Sequence, residues 1–491
     1  MRAALLIPFL GLALAVGGCG GGEAGAGPEG AAEAPANATF FVAIDTDFES
    51  TQWDNAQTLV DKFPDGDRAV DFLLNELSDE GVDFERDVKP ALGPEVDIVG
   101  FNLAAGTNNI VGLTQPKDEQ KLRELLEKGD EPVVVRRIGE WTAFAENDEI
   151  INRFMDARDE GRLADDEDFK TAMDTVSDEA LVHAYLNGDE FAAATAQDAQ
   201  LPPETFEACV PGGDVPSFAF AVGAEEDGVR FEGGGPSVQE ADGGYLSPYE
   251  AQLPSVVPGG VLAYVSFNDL EQLFSTLRDC LAGSSPEFER GLGQFEAMLG
   301  VSLEEDIAPL FANEGAFYVR RGIPLPEFTL LLAVDDEAAA EQTMDDLISG
   351  LKRTIVPDLG APAPTSIAGV EVKQVTIPDA PLSLFYGAFD SRLVLTTSRE
   401  GISGLLEEGE RFADDELFQR AREDAGMPDE TVGFFFIDLQ ETIAYILGFA
   451  GIAGENVPDE VSRNLDPLEH LLVYGTEDGE TTRFGGFLAL D

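Results

Sequence analysis

The sequence predicts an α+β protein made of two pseudo-repeats, each a mainly antiparallel sheet covered by helices. Three observations predict it: apolar runs of strand length with hairpin signals, helical pairs between them, and recurrence of the same short segments in the same order. Arg162-Leu-Ala-Asp-Asp-Glu-Asp-Phe169 returns as Arg411-Phe-Ala-Asp-Asp-Glu-Leu-Phe418, identical at six of eight positions. Upstream, Phe84-Glu-Arg-Asp-Val-Lys-Pro90 matches Leu303-Glu-Glu-Asp-Ile-Ala-Pro309. Near each end a turn signal, Asp227-Gly228 or Asp478-Gly479, precedes an Arg-Phe pair and two glycines. These are Arg230, Phe231, Gly233 and Gly234, then Arg483, Phe484, Gly485 and Gly486.

In order along the first half, a strand is expected near 40–45, helices near 51–63 and 67–77, and a capped turn near Asp83. Strands follow near 96–103 and 110–113, a helix over 118–127, and strands near 133–138 and 141–145. Helices then run to about residue 174 before the closing strands. The second half repeats this order with an insertion of roughly 30 residues, read as Pro- and Ala-rich loop around 353–368. Four strands end at Asp45, Asn187, Asn268 and Asp438, residue types that accept from the free amides of a following helix. Ser302 and Glu305 read as a capping box, with Asp83 at the equivalent cap.

The N-terminus sets location. Arg2, an apolar run over 3–16 and Val16-Gly-Gly-Cys19 form a secretory signal that resembles the lipobox of bacterial lipoproteins. The run is shorter than the roughly 20 residues needed to span a bilayer. That resemblance implies acylation of the Cys19 thiol and removal of residues 1–18. The protein would then sit on the extracytoplasmic face of the bacterial cell membrane, with residues 19–38, rich in Gly, Ala, Glu and Pro, as a flexible tether. The expected units are residues 39–234 for the first repeat, 235–260 for a Gly/Pro/Ser-rich linker and 261–491 for the second.

Composition excludes several function classes. The chain has 95 acidic and 30 basic residues, net −65, so no basic stripe exists to displace phosphate counterions and nucleic acid is not a partner. Direct docking on an anionic membrane is disfavoured for the same reason. With Cys19 acylated, Cys209 and Cys280 remain. A bridge closing that loop would contribute about 4 kcal/mol if unstrained. Two unpaired thiols are the alternative, and spacing alone leaves both open.

No cofactor is expected. Two histidines and three cysteines are too few to suggest a transition-metal site, and no GxSxG elbow, P-loop or dinucleotide fingerprint occurs. Asp45-x-Asp47-x-Glu49 begins like a calcium loop but has Ser50 where glycine is required. Ser349-Gly-Leu-Lys352 fits an SxxK pattern yet ends an amphipathic helix, and no KTG follows. The one stretch that invites a ligand is Phe434-Phe-Phe-Ile437 with the uncharged run Thr442–Gly454. Phe434, Phe436, Tyr445 and Phe449 could wall an apolar ligand, or form buried core.

The repeated pattern resembles domain-of-unknown-function family 3352, envelope proteins found mainly in actinobacteria and their relatives. The residues carrying it are Gly259-Gly-Val-Leu-Ala-Tyr-Val, Asp429-Glu-Thr-Val-Gly-Phe-Phe, Glu304-Glu-Asp-Ile-Ala-Pro and Glu85-Arg-Asp-Val-Lys-Pro-Ala-Leu-Gly93. The resemblance implies architecture and location; the family has no established activity to transfer. The expectation is a non-catalytic, lipid-anchored protein that binds an envelope partner or ligand, or alternatively a carrier for an apolar, lipid-like molecule.

Overall fold

A computed structural model describes residues 28–79, 81–105, 109–129, 132–199, 215–237, 247–271, 273–276, 278, 286–323, 325–378, 382–453 and 457–491. Eight strands come from the first half: β1 (Ala38–Asp45), β2 (Glu95–Phe101), β3 (Ile110–Thr114), β4 (Val134–Ile138), β5 (Trp141–Ala145), β6 (Val182–Leu186), β7 (Phe218–Glu225) and β8 (Gly228–Pro236). A short β9 (Tyr249–Glu250) leads to β10 (Val261–Phe267), β11 (Gly315–Arg320), β12 (Glu327–Ala333), β13 (Ala363–Ile367), β14 (Val370–Thr376), β15 (Ser383–Phe389) and β16 (Arg392–Thr396). The chain closes with β17 (Glu430–Thr431), which pairs with β9, then β18 (Gly433–Asp438), β19 (Leu468–Glu477) and β20 (Thr481–Leu490).

Pairing in the first half runs β4-β5-β3-β2-β1-β6-β7-β8, all antiparallel. In the second it runs β15-β16-β12-β11-β10-β18-β19-β20, the same order, with the hairpin β13-β14 added beyond β15. β8 then pairs with β20 over their length and joins both sets into one 18-stranded sheet. Part of the stretch read as loop is therefore strand. The alternation Thr365, Ser366, Ile367 pairs with β14, and Pro364 is tolerated because β13 is the outermost strand.

Helices cover both faces outside the centre. On one face α4 (Asp148–Glu160) and α5 (Glu167–Met173) bury Ile151, Phe154 and Ala172 against β1, β3 and β5. α9 (Arg399–Leu406) and α10 (Glu416–Ala425) bury Ile402, Phe418 and Ala421 on the same face of the second half. On the other face α1 (Thr51–Asp61) and α3 (Glu119–Leu126) cover the first half with Trp53, Leu59 and Leu122. There α8 (Glu337–Thr354) covers the second with Met344 and Ile348. The remaining helices are α2 (Gly66–Asp79), α6 (Gly188–Ala199), α7 (Pro286–Leu299), α11 (Leu439–Ala453) and α12 (Asp459–Leu465). No helix among the described residues is long and apolar enough to cross a membrane.

Local chemistry explains the recurring segments. Phe84–Val88 and Leu303–Ile307 are each one π-helical turn. Asp83 Oδ1 accepts from Arg86 N at 2.8 Å and Ser302 Oγ from Glu305 N at 3.2 Å, as capping requires. The return bond comes from Asp87 and Asp306, four residues on, at 2.9 and 2.7 Å, rather than from Glu305. The wider turn carries one residue more per circuit, so the fourth position faces back to the cap.

Before each half's first strand a 3₁₀ turn docks on the sheet, Glu29–Ala32 and Leu253–Ser255. Glu95 accepts from Gly30 N at 2.9 Å and Glu29 N at 3.3 Å. Glu314 accepts from Leu253 N at 2.8 Å and Gln252 N at 2.9 Å. Pro35 then bridges Arg162, and Pro258 bridges Arg411. Residues 28–38, expected within the flexible tether, are thus held, with Ala31 and Ala34 buried. The boundary expected at residue 234 falls inside β8, and the linker's Tyr249–Glu250 is a strand.

Candidate functional site

Cys19, Cys209 and Cys280 lie outside the described residues. Of the four residues expected to wall a ligand, Phe434 and Phe436 are core: both are buried, Phe434 stacking on Phe418 at 5.6 Å and Phe436 meeting it edge to face at 5.5 Å. Tyr445 and Phe449 meet edge to face at 4.9 Å on α11 and are only half-buried. Among the described residues no ring contact joins the two pairs, so the four do not form one wall.

The structure points instead to the residue between them. Successive strand side chains alternate faces, so Phe435 points away from the core that receives Phe434 and Phe436. Register extends its position across the sheet in one rung: Val222, Phe231, Gly486, Val473, Phe435, Val265, Phe317 and Leu330. No polar side chain interrupts it. Eight strands at roughly 4.8 Å spacing make this rung about 34 Å long. The adjacent rung on the same face is Phe220, Gly233, Phe484, Gly475, Gly433, Phe267 and Gly315.

Burial separates the two faces. On the core face Ala221, Leu472, Tyr264 and Tyr318 are buried with Phe434 and Phe436. On the rung face Phe231, Val473, Phe435 and Val265 are half-buried, whereas Phe218 and Phe317 are 36% and 39% exposed. Antiparallel sheets with one solvated face normally place polar residues there. This outward face is instead apolar.

The centre of the face is the seam, built by the repeated Arg-Phe-x-Gly segments. Phe231 lies over Gly486, where a Cβ would come 2.2 Å from its ring, and Phe484 lies over Gly233 at 2.4 Å. Each half thus lays its phenylalanine on the other half's glycine, and no larger residue fits beneath either ring. Phe218 stacks on Phe484 at 5.6 Å, extending the aromatic surface to the end of β7. On the opposite face the Arg230 guanidinium donates to the carbonyls of Asp424 and Ala425, the C-terminal end of α10, at 2.8 and 3.3 Å. The seam is therefore closed on one face and open on the other.

Ionisable groups elsewhere hold structure. His183 Nε2 lies 2.8 Å from the Ser177 carbonyl. Asp45 accepts from Asp47 N at 2.8 Å and from Ser50 Oγ at 2.6 Å, closing a turn rather than a calcium loop. Ser349 and Lys352 lie within α8. Among the described residues no cluster of His, Cys, Asp and Glu could hold a metal ion. Asp97 is fully buried beside Glu95 and Gly30, and burial followed by the Glu95 charge pushes its carboxyl well above the ordinary range.

No curated protein matches the chain. Solved structures similar to it include crystal form IV of TP0453, 12% identical over 48% of this chain and 76% of that one, TM-score 0.24. Crystal form III of TP0453 is 13% identical over 45% and 73%, TM-score 0.22. Scores this low say nothing about fold or activity here. A family model, by contrast, matches residues 113–490 continuously, from β3 into the last residues of β20. The chain belongs to that family, described as a protein of unknown function (DUF3352).

Proposed function

We propose that this is a non-catalytic, lipid-anchored extracytoplasmic protein that holds an apolar, chain-like ligand on the open face of its sheet. We also read the matching strand order of the two halves as a duplication whose fused edges created that face. The observation that carries the reading is the uninterrupted apolar rung from Val222 to Phe317, beyond which Leu330 packs against the core under α8. Glycines 233, 475, 433 and 315 lower the neighbouring rung, so an extended hydrocarbon can lie across the strands between aromatic side chains. The acidic surface supports an uncharged ligand body over an anionic polymer. Anchoring is supported by the lipobox-like sequence ending at Cys19.

Two measurements test this. Native mass spectrometry of gently purified protein is expected to show a bound apolar molecule that is lost in Val473→Asp and Phe435→Asp variants. Circular dichroism confirms that those variants fold. An empty wild-type protein that also fails to take up a fluorescent fatty acid would rule out the ligand. For the anchor, Cys19→Ser is expected to move the protein out of the membrane fraction, and the wild-type N-terminus to carry acyl mass on Cys19. An unmodified Cys19 contradicts it.

A further inference from the structure

The two most exposed apolar side chains of the second half among the described residues, Ile323 and Ile446, belong to one turn and the helix fastened to it. The turn between β11 and β12 carries Ile323 and Leu325, 99% and 37% exposed, and Phe328 follows at 40%. Phe317 stacks on Phe328 with centroids 6.4 Å apart. The Tyr445 hydroxyl donates to the Gly322 carbonyl at 2.7 Å and lies 3.3 Å from Gly322 N, which fastens α11 against the turn. From α11, Ile446 projects 59% exposed. Arg320 and Arg321 flank the apolar tip, two of only 30 basic residues in the chain.

The first half carries less of it: on the helix after β6 only Phe191 is strongly exposed, at 45%. Its corresponding turn, between β2 and β3, reads Asn102-Leu-Ala-Ala-Gly-Thr-Asn-Asn109, and the helix after β6 reads Gly-Asp-Glu-Phe-Ala-Ala-Ala-Thr-Ala-Gln-Asp-Ala. The same strand order forms there without exposed isoleucines, so folding does not require them. Leaving Ile323 and Ile446 in water is a cost that a contact elsewhere must offset.

We infer that the β11–β12 turn and α11 form a membrane-contact tip, seated at the acyl boundary of the leaflet that carries the lipid anchor. This rests on the anchoring proposed above. The occupant follows from reach. The arm is pinned from Glu29 onward by Glu95 and by the Arg158–Glu33 ion pair. Only the nine steps from Cys19 to Pro28 remain, at most about 30 Å of extended chain. A bilayer is therefore always within reach of the body, at high effective concentration. The net charge of −65 repels anionic headgroups, so the contact is apolar and gains nothing from anionic lipid.

The test exploits the two native tryptophans, Trp53 and Trp141, both buried at 1% and 6% exposure. Natively processed protein carrying I323W or I446W is reconstituted into phosphatidylcholine vesicles with or without brominated acyl chains. Flotation reads the anchor, and quenching of the added tryptophan reads the tip. Both variants are expected to lose roughly half of their added emission in brominated vesicles, with no further change when phosphatidylglycerol is included. F191W, on the first half's α6, is expected to stay unquenched. Flotation with unquenched I323W and I446W overturns the tip and spares the anchor; absence of flotation overturns both. A blue shift of I323W without vesicles also overturns it, assigning the tip to a second copy if it rises with protein concentration and to a bound ligand if it does not.

Discussion

The first and second halves lay eight strands in the same order, and each docks a 3₁₀ turn through a glutamate at the start of its second strand. Where a matched position carries a different residue, the difference shows an alternative that the same pairing order accommodates. Where β2 carries Asp97, the corresponding position of β11 is Ala316. Where Asp438 caps α11, the equivalent residue just after β6 is Asn187. Where the second half exposes Ile323 and Ile446, the matching segments of the first carry no isoleucine. The shared features state what the fold needs; the differences show what is free to serve something else.

The largest effect is expected at Asp97. A buried carboxylate is costly when charged, and alanine already fills the matching place in the core that also holds Leu253. Its folded pKa lies above the unfolded value of about 3.9. Its stabilising contribution is therefore complete below that pH and lost as pH rises through the folded value. Asp97→Ala should raise stability at pH 7.5 by about 2–4 kcal/mol and flatten that slope. Urea midpoints across pH 4–8 measure it. Destabilisation at neutral pH would mean that Asp97 makes a contact the second half does not need, breaking the equivalence there.

The same pairings show what could be read from the residues alone. The succession of strands and helices along a half and the recurring segments were legible because apolar period and turn chemistry are local. The seam was not: Phe231 and Gly486 meet across some 250 residues, and nothing local sets the register between two edge strands. Which of the three phenylalanines of β18 faces outward was not legible for a related reason. Phe434-Phe435-Phe436 must alternate faces, but which face a helix covers depends on α10, and that packing assigned Phe434 and Phe436 to the core. Asp97 gave no signal, since one acidic residue in an apolar strand looks solvent-facing until the docked arm is seen to cover it.

A smaller effect tests the two docked turns. Glu314→Ala removes the acceptor for Gln252 and Leu253 and should cost about 1–2 kcal/mol. Glu95→Ala removes the acceptor for Glu29 and Gly30 but also a like charge beside Asp97, so its loss should be smaller. Thermal unfolding of both variants decides this, and in an Asp97→Ala background the two losses should become equal. A persistent gap there would show that the two arms are held by different means.

The smallest effect concerns the helix caps. Asp438 Oδ1 accepts from Glu441 N at 2.8 Å, and Asn187 Oδ1 from Glu190 N at 3.0 Å, so an amide suffices for the geometry. The aspartate differs in titrating. Burial, with the Asp415 charge adding to it, pushes its carboxyl up to about 6. Stability from this group is thus full below about pH 4 and is lost as pH rises through 6. Asp438→Asn keeps the acceptor and removes the titration, so the gain should be about 1 kcal/mol at pH 7.5, reduced from the full linkage value because the group is partly exposed. Below pH 4 the variant and the wild type should coincide. If the variant instead loses stability above pH 6 while matching the wild type below pH 4, the negative charge itself is holding the N-terminus of α11, and the second half has bound that helix more tightly than the first binds α6. That outcome would tie the cap to the exposed tip, because the helix that carries Ile446 is the one held by the charge.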